Sequence, residues 1–221
     1  MLIVVGGHTR NIGKTSVVAG LVAALPEMRW TAVKITQFGH GVCSSAGEAC
    51  ECAVEDPEHP YAITEEQDRS SGTDSSRFLA AGAEHAYWVR TAAGRLGHAL
   101  PALRQIFQTG VHTIIESNSI LQFLRPDLYF VVLDFAAEDF KQSSLIYLDR
   151  ADALVVIDRG SKMERWTGVA RKLWDRKPRF YVRPPQYVTE AMTSLVRGCA
   201  ISSTASSPGA SAGTSDRPER P

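Results

Sequence analysis

The chain has 221 residues, of which 44% are hydrophobic and 22% are charged, and its 24 basic and 24 acidic side chains give a formal net charge of zero. This composition is that of a globular protein and excludes a disordered chain or a coiled coil, and the zero net charge leaves no electrostatic footprint for nucleic acid. No apolar run approaches the roughly 20 residues that span a bilayer, so we expect a cytoplasmic protein without a membrane partner.

Short β-rich runs alternate with longer amphipathic stretches along the chain. The predicted strands cover residues 2–5, 31–35, 61–64, 86–90, 113–116, 128–133, 153–157 and 179–182. The predicted helices cover residues 14–25, 75–83, 96–109, 140–150, 162–175 and 188–196. Several strands are continuous hydrophobic runs, which is typical of strands covered on both faces. We therefore predict a single α/β domain over residues 1–198, with a mostly parallel, doubly wound sheet flanked by helices.

Two segments interrupt this alternation. Residues 37–60 are polar, contain three of the four cysteines, and are predicted to be an insertion after the second strand. Residues 199–221 consist largely of Ser, Ala, Gly, Pro and Thr, and this composition predicts a disordered tail.

A glycine-rich loop follows the first predicted strand and opens the first predicted helix. Its residues are Gly7, His8, Thr9, Arg10, Asn11, Ile12, Gly13, Lys14, Thr15 and Ser16. Glycines let successive backbone N–H groups turn toward one point, where the helix N-terminus adds the positive end of its dipole. We predict a phosphate-binding loop in which Lys14 contacts the β- and γ-phosphates of a nucleoside triphosphate and the Thr15 hydroxyl binds Mg²⁺.

The spacing of this loop departs from the common motif. Five residues separate Gly7 from Gly13, one more than usual, and His8 stands where the common motif has glycine. His8 either contacts the nucleotide or fills the longer turn. The alternative for the whole segment is a glycine-rich turn that carries Lys14 and Thr15 by chance.

A carboxylate at the end of a second strand completes the predicted site. Glu116 follows the β-branched run at residues 113–115, at the sheet edge where ligands of doubly wound proteins bind. There a carboxylate holds the water of a metal ion or activates the attacking nucleophile. The alternative is a solvated glutamate at a strand end.

The loop Gly7-x5-Gly13-Lys14-Thr15 resembles that of dethiobiotin synthetase and the cobyrinic acid a,c-diamide synthases, P-loop proteins of the signal-recognition/MinD/BioD-like class. Beyond the loop, roughly residues 1–160 are similar to the molybdopterin-guanine dinucleotide biosynthesis protein B family. The similarity includes Lys34 at the end of the second strand, Asp-Arg-Ser-Ser-Gly-Thr-Asp-Ser at residues 68–75, Ala-Gly-Ala at residues 81–83, and the strand that ends in Glu116.

This resemblance implies a P-loop NTPase fold and places Lys34 and Asp74 near the γ-phosphate and Mg²⁺, with Asp68 as a further candidate. Two features depart from the protein B family: its loop is shorter, and its glutamate precedes a glycine, whereas Glu116 precedes Ser-Asn-Ser. The chain has no Asn-Lys-x-Asp motif for reading guanine, so both GTP and ATP remain candidate ligands. Asp74 has a structural alternative, in which it or Ser75 caps a helix over residues 76–83.

The cysteine-containing insertion is a candidate transition-metal site. Cys43, Cys50 and Cys52 supply three thiolates, and His40 or His59 a fourth ligand, for zinc, an iron–sulfur cluster or another transition metal. The spacing is not that of a standard zinc finger, and the alternative is a set of unligated thiols in a loop.

Three hypotheses for function follow, beside a fourth in which the protein is a binding module that does not hydrolyse the nucleotide. The first is a Mg-dependent NTPase that acts as an accessory factor in molybdopterin-type cofactor biosynthesis, together with a partner enzyme. The second is a metallochaperone NTPase that uses the cysteine insertion. The third is an ATP-dependent small-molecule kinase or ligase resembling dethiobiotin synthetase. Because proteins of this class commonly act as dimers, the resemblance also implies a homodimer.

Overall fold

The structure is a computed structural model that describes residues 1–38, 60–110, 112–161 and 163–205. Eight strands form one sheet. They are β1 (Leu2–Gly7), β2 (Trp30–Phe38), β3 (Tyr61–Glu65), β4 (His85–Ala92), β5 (His112–Glu116), β6 (Leu128–Asp134), β7 (Ala153–Ile157) and β8 (Arg179–Val182). Helices connect or follow these strands. They are α1 (Lys14–Ala24), α2 (Asp74–Ala80), α3 (Leu96–Thr109), α4 (Gln142–Leu145) and α5 (Glu190–Ala205).

The strand order is β3-β4-β2-β5-β1-β6-β7-β8, and every neighbouring pair is parallel except β3 and β4, which are antiparallel. The prediction of an α/β fold with a mostly parallel sheet flanked by helices is therefore confirmed. All eight predicted strands are present, and several extend by one to three residues beyond the predicted bounds.

Both faces of the sheet are covered, which explains why its strands are hydrophobic without alternation. Apolar side chains of α1, α2 and α5 pack on one face, where Leu21 and Phe78 are fully buried. Apolar side chains of α3 pack on the other face together with Trp166 and Trp174, and Leu103 is fully buried there. Removing a buried side chain of this size to alanine typically costs about 2–5 kcal/mol of stability.

The connections of the sheet create a crevice at the carboxyl ends of two central strands. β1 and β5 are neighbours in the sheet, but the chain leaves them in opposite directions. After β1 it runs toward the β3 edge to form β2, and after β5 it runs toward the β8 edge to form β6. Adjacent parallel strands whose connections diverge in this way leave a ligand crevice beyond their carboxyl ends. The glycine-rich loop follows β1, and Glu116 ends β5, so both lie at this crevice.

Two predicted helices are wrong in whole or in part. No α-helix covers residues 162–175 within the described part of that range, where Gly168 adopts a left-handed φ of 75° and Arg165 N donates to Phe135 O at 3.0 Å. These features place Trp166 and Trp174 in the core without a helix. The helix predicted at 140–150 shortens to α4 and a 3₁₀ turn at Leu148–Arg150.

The last helix is longer than predicted. α5 continues to Ala205, beyond the predicted start of a disordered tail at residue 199, because Val196 and Ala200 still pack against the core. Residues 206–221 lie outside the described part of the chain.

Residues 39–59 also lie outside the described part of the chain, and with them the predicted metal ligands His40, Cys43, Cys50 and Cys52, and the alternative ligand His59. No helix among the described residues is long and apolar enough to cross a membrane.

Candidate functional site

The glycine-rich loop turns sharply into α1 at Gly13. This residue has a φ of 97°, and a Cβ atom there would lie 2.7 Å from Cε1 of Tyr187, so both the backbone and the space require glycine. Gly13 is the N-cap of α1, and no side chain accepts a hydrogen bond from the first turn. The opening N–H groups of α1 are therefore available to an anion.

Asn118 ties this loop to the end of β5. Gly7 N donates to Asn118 Oδ1, and Asn118 Nδ2 donates to Gly7 O, both at 2.9 Å. A Cβ atom at Gly6 would lie 2.1 Å from Asn118 Oδ1, so this approach requires glycine at position 6 as well. The Ser-Asn-Ser sequence that departs from the family pattern thus supplies a side chain that fixes the start of the loop.

Four predicted site residues converge at the carboxyl end of β5, where Lys34 lies beside Glu116 in the sheet; Lys34 is within β2 and not at its end as predicted, because β2 continues to Phe38. Thr15 Oγ1 donates to Glu116 Oε2 at 2.8 Å. Lys34 Nζ lies 2.6 Å from Glu116 Oε1 and 2.6 Å from Asp74 Oδ2, and so bridges the two carboxylates. We call Thr15, Lys34, Asp74 and Glu116 the carboxylate cluster.

The electrostatics of the carboxylate cluster are coupled. Burial lowers the pKa of Lys34, but the charges of Glu116 and Asp74 outweigh burial and hold it above its ordinary value. Burial raises the pKa of Asp74, but the Lys34 ammonium outweighs that effect and the net direction is downward. Glu116 is only 2% exposed. Because each buried ion costs several kcal/mol in desolvation, such an arrangement at a crevice is typical of a functional site.

Lys14 and Ser16 make local contacts around the loop. Lys14 Nζ donates to Thr9 O at 2.6 Å, so its ammonium reaches back over the loop. Burial and the nearby Lys34 lower the pKa of Lys14, while the charge of Glu116 opposes them. Arg77 Nη2 donates to Ser16 Oγ at 2.9 Å, and it thereby links α2 to the first turn of α1.

These groups line a cleft of about 760 Å³, a volume typical of small-molecule sites. Its lining residues are Gly7, Thr9, Arg10, Asn11, Gly13, Lys14, Thr15, Ser16, Lys34, Ile35, Thr36, Gln37, Asp74, Arg77, Glu116, Ser117, Asn118, Ser119, Lys141, Gln142, Ser143 and Tyr187. Five of these side chains are basic and two are acidic, an excess of positive charge that favours an anionic ligand.

Two residues of the predicted loop do not line the cleft. His8 is fully buried and Ile12 is 3% exposed, and both side chains point into the interior of the protein. His8 therefore fills the longer turn and does not contact a ligand in the cleft with its side chain. The apolar side chain of Ile12 packs in the hydrophobic core together with side chains of α1, and this contact anchors the loop.

The segment at residues 68–75 is organised differently from its prediction. The N-cap of α2 is Thr73, whose hydroxyl accepts a hydrogen bond from Ser76 N at 3.1 Å, so neither Asp74 nor Ser75 has this role. Asp68 is exposed, accepts hydrogen bonds from Ser70, and lies outside the lining of the cleft. Its hydrogen bonds with Ser70 stabilise the turn before α2.

The buried His8 ring joins the loop to the segment after β6. Asp134 N donates to His8 Nε2 at 3.0 Å, which requires an unprotonated Nε2. Nδ1 therefore carries the proton, and it donates to Asp139 O at 2.9 Å. The ring contacts Phe140 and Trp166, at centroid distances of 5.1 and 4.8 Å. Burial lowers the pKa of His8 to about 4.

This neutral histidine predicts a specific pH dependence. Because the pKa of His8 is about 4 in the folded protein and near 6.5 in the unfolded chain, the unfolded state takes up the proton first. The contribution of neutral His8 to the free energy of unfolding is fully present above pH 6.5. It is lost as pH falls toward 4, by up to about 3 kcal/mol. Urea unfolding at a series of pH values should show this loss in the parent protein and not in His8→Gln. Parallel pH profiles would contradict the assignment.

Sequence reasoning missed several residues of the cleft. Asn118, Arg77, Lys141 and Tyr187 come from four separate segments, and no motif marks any of them. The only signal was the departure from glycine after Glu116, which pointed to the position of Asn118 without indicating what it contacts.

The chain matches no protein-family model and no curated protein. Solved structures that are similar in fold include the following two. One is the "apo" form of LpxK from Aquifex aeolicus in complex with ATP, with a TM-score of 0.44 and 20% identity over 81% of this chain and 53% of LpxK. The other is HypB from Helicobacter pylori in complex with nickel, with a TM-score of 0.47 and 14% identity over 91% of this chain and 87% of HypB. The chain thus spans about half the length of LpxK.

Proposed function

We propose that this protein binds a Mg²⁺–nucleoside triphosphate in the cleft and cleaves the bond between its β- and γ-phosphates. The observation that carries the proposal is the convergence of the Gly13–Lys14–Thr15 turn with the carboxylate cluster at one sheet edge. Free N–H groups and basic side chains suit a polyphosphate, while oxygen ligands beside them suit its metal ion.

The oxygen atoms of the carboxylate cluster fit Mg²⁺. Thr15 offers a hydroxyl, Glu116 and Asp74 offer carboxylates, and Mg²⁺ prefers such hard oxygen ligands together with water. The positively charged Lys34 ammonium already lies between the two carboxylates, so this position suits a cation. When bound, the metal neutralises charge on the phosphates.

The residues of the chain have separable tasks in this reaction. The N–H groups at the start of α1 and the Lys14 ammonium hold the phosphates in place. Lys34 is positioned to stabilise negative charge near the terminal phosphate. Glu116 accepts hydrogen bonds with both carboxylate oxygens, and it is the group that orients a water molecule or the metal's hydration shell. Its burial excludes bulk water from that side.

Calorimetric titration with ATP and GTP, each with and without Mg²⁺, tests this function. We expect dissociation constants in the micromolar range for at least one triphosphate, and weaker binding when Mg²⁺ is removed because the phosphate charge is then less neutralised. The same titrations show whether the site prefers adenine or guanine nucleotides. Absence of binding for ATP and GTP at millimolar concentration would refute the proposal.

We propose further that the activity serves cofactor biosynthesis, as the resemblance to the molybdopterin-guanine dinucleotide protein B family implies, with a partner enzyme that raises a slow basal rate. A second candidate is phosphoryl transfer to a small acceptor. It is supported by the extension of the cleft beyond the loop along polar groups of Thr36, Gln37, Ser119 and Ser143. Phosphate release that stays slow without a partner protein favours the first candidate, and turnover that requires a small acceptor favours the second.

The metallochaperone hypothesis depends on Cys43, Cys50 and Cys52, which lie outside the described residues. Among the described residues no group of three or more His, Cys, Asp and Glu side chains is placed to hold a metal ion.

A further inference from the structure

Lys141 brings an ammonium group to the cleft from the β6 side. Its side chain lines the cleft, and it belongs to the segment between β6 and α4. Lys34 enters from β2, and β2 and β6 lie on opposite sides of β1 in the sheet. Because the phosphate-binding loop follows β1, the two lysines approach it from opposite sides.

The segment that carries Lys141 is docked on the phosphate-binding loop. Lys141 N donates to His8 O at 2.8 Å. Asp139 accepts hydrogen bonds from His8 Nδ1 with its carbonyl and from the Thr9 hydroxyl with its carboxylate. At the other end, Asp134 N donates to His8 Nε2 at 3.0 Å. These contacts fix the backbone of Lys141 to the loop itself, so the side chain of Lys141 starts from a set position beside the loop.

Positive charges outweigh negative ones in the electrostatic surroundings of Lys141. Its side chain makes no hydrogen bond or ion pair within the described part of the chain. Burial, then Arg10 and Lys14, lower the pKa of Lys141 to about 8, with Lys34 acting in the same direction and Asp139 opposing them. A lysine ammonium that lies among like charges is unfavourable in the free protein and becomes favourable when an anion binds beside it.

We propose that Lys141 is a catalytic residue of the nucleotide site, whose ammonium contacts the terminal phosphoryl group from the side opposite Lys34. This inference rests on the proposed function. In hydrolysis, a water oxygen bonds to the γ-phosphorus and the bond to the β–γ bridging oxygen breaks, with its electron pair retained by the diphosphate. One water proton stays on inorganic phosphate and the other goes to solvent. Lys141 transfers no proton and stabilises the charge on the moving group.

Substitutions at position 141 test the contact by calorimetry and phosphate release. We expect Lys141→Met to weaken binding of the Mg²⁺–triphosphate by about tenfold or more, the usual weight of a charged hydrogen bond. Binding of the diphosphate should change less than about twofold, because it lacks the terminal group. Hydrolysis should fall at least as much as binding, and Lys141→Arg should restore most of both. Lys172→Met, at an exposed lysine far from the cleft, is the matched control.

The pH dependence gives an independent readout. Between about pH 7.5 and 9.5 the parent protein should lose triphosphate affinity as Lys141 deprotonates, whereas Lys141→Arg should lose less because arginine stays charged. Arg10, Lys14, Lys34 and Asp139 are common to both proteins, so the difference isolates position 141. Equal losses of triphosphate and diphosphate affinity, or unchanged binding in Lys141→Met, would overturn the assignment. Failure of the parent protein to bind any triphosphate would instead refute the proposed function.

Discussion

Replacing Lys14 by alanine is expected to raise the dissociation constant for a nucleoside triphosphate at least about a hundredfold. The ammonium would donate charged hydrogen bonds to two phosphates, each worth about 1.5–3 kcal/mol, and every 1.4 kcal/mol corresponds to a factor of ten. Among the residues that the structure describes, the Lys14 ammonium makes one hydrogen bond, to Thr9 O. The fold should therefore tolerate the change, and calorimetric titration of the folded variant measures the loss.

The exposed Lys172 provides the matched control for Lys14→Ala, since Lys172→Ala removes the same charge away from the cleft. The midpoint temperatures of thermal unfolding of both variants should lie close to that of the parent protein. Unchanged triphosphate affinity in a folded Lys14→Ala protein would remove the loop from nucleotide binding. The broader proposal that phosphates bind at the start of α1 would then be untenable.

Replacing Glu116 by glutamine is expected to reduce hydrolysis by at least tenfold, and by about 10²–10⁴ if it acts as the general base. Glutamine matches the shape of glutamate, but it lacks the charge and has only one accepting oxygen. One of the contacts to Thr15 and Lys34 is then replaced by an amide N–H₂ group facing a donor. Triphosphate binding should change only a few-fold, because the loop and Lys14 are unaltered.

Single-turnover phosphate release separates the effect of Glu116→Gln on cleavage from any effect on product release. Glu190→Gln, an exposed change at the start of α5 and away from the cleft, is the matched control. Because Lys34 keeps its contact with Asp74, we expect the variant to fold, with lower stability. Full hydrolytic activity in the folded variant would exclude Glu116 from the mechanism.

The core of the candidate site was predictable because it depends on rules that act along the sequence. Glycine at a strand–helix turn, lysine and threonine at the helix start, and a carboxylate at a parallel strand end each have local signals. Carboxyl ends of parallel strands meet at one edge of a sheet, so the meeting of Thr15 and Glu116 follows from their positions. Lys34 and Asp74 came from the resemblance, and the structure brings both into contact with that pair.

The residues around this core were not predictable, because their roles depend on contacts across long sequence separations. His8 lies in the predicted loop, yet its ring is directed inward by Asp134 and Asp139, more than 120 residues away. Lys141 lies in a stretch whose helical pattern predicted a regular helix. A backbone hydrogen bond to His8 O instead holds that residue in an extended conformation at the cleft.

The sequence by itself determined the strands, most helices and the glycine-rich turn into α1, since hydrophobic runs, glycines and helix starts are encoded within a few neighbouring residues. The tertiary structure alone decided which side chains line the cleft and which are buried behind it. It also decided that the tryptophans near residues 162–175 enter the core without a helix. These outcomes depend on burial and hydrogen bonding between distant segments, where packing outweighs the local preference of the chain.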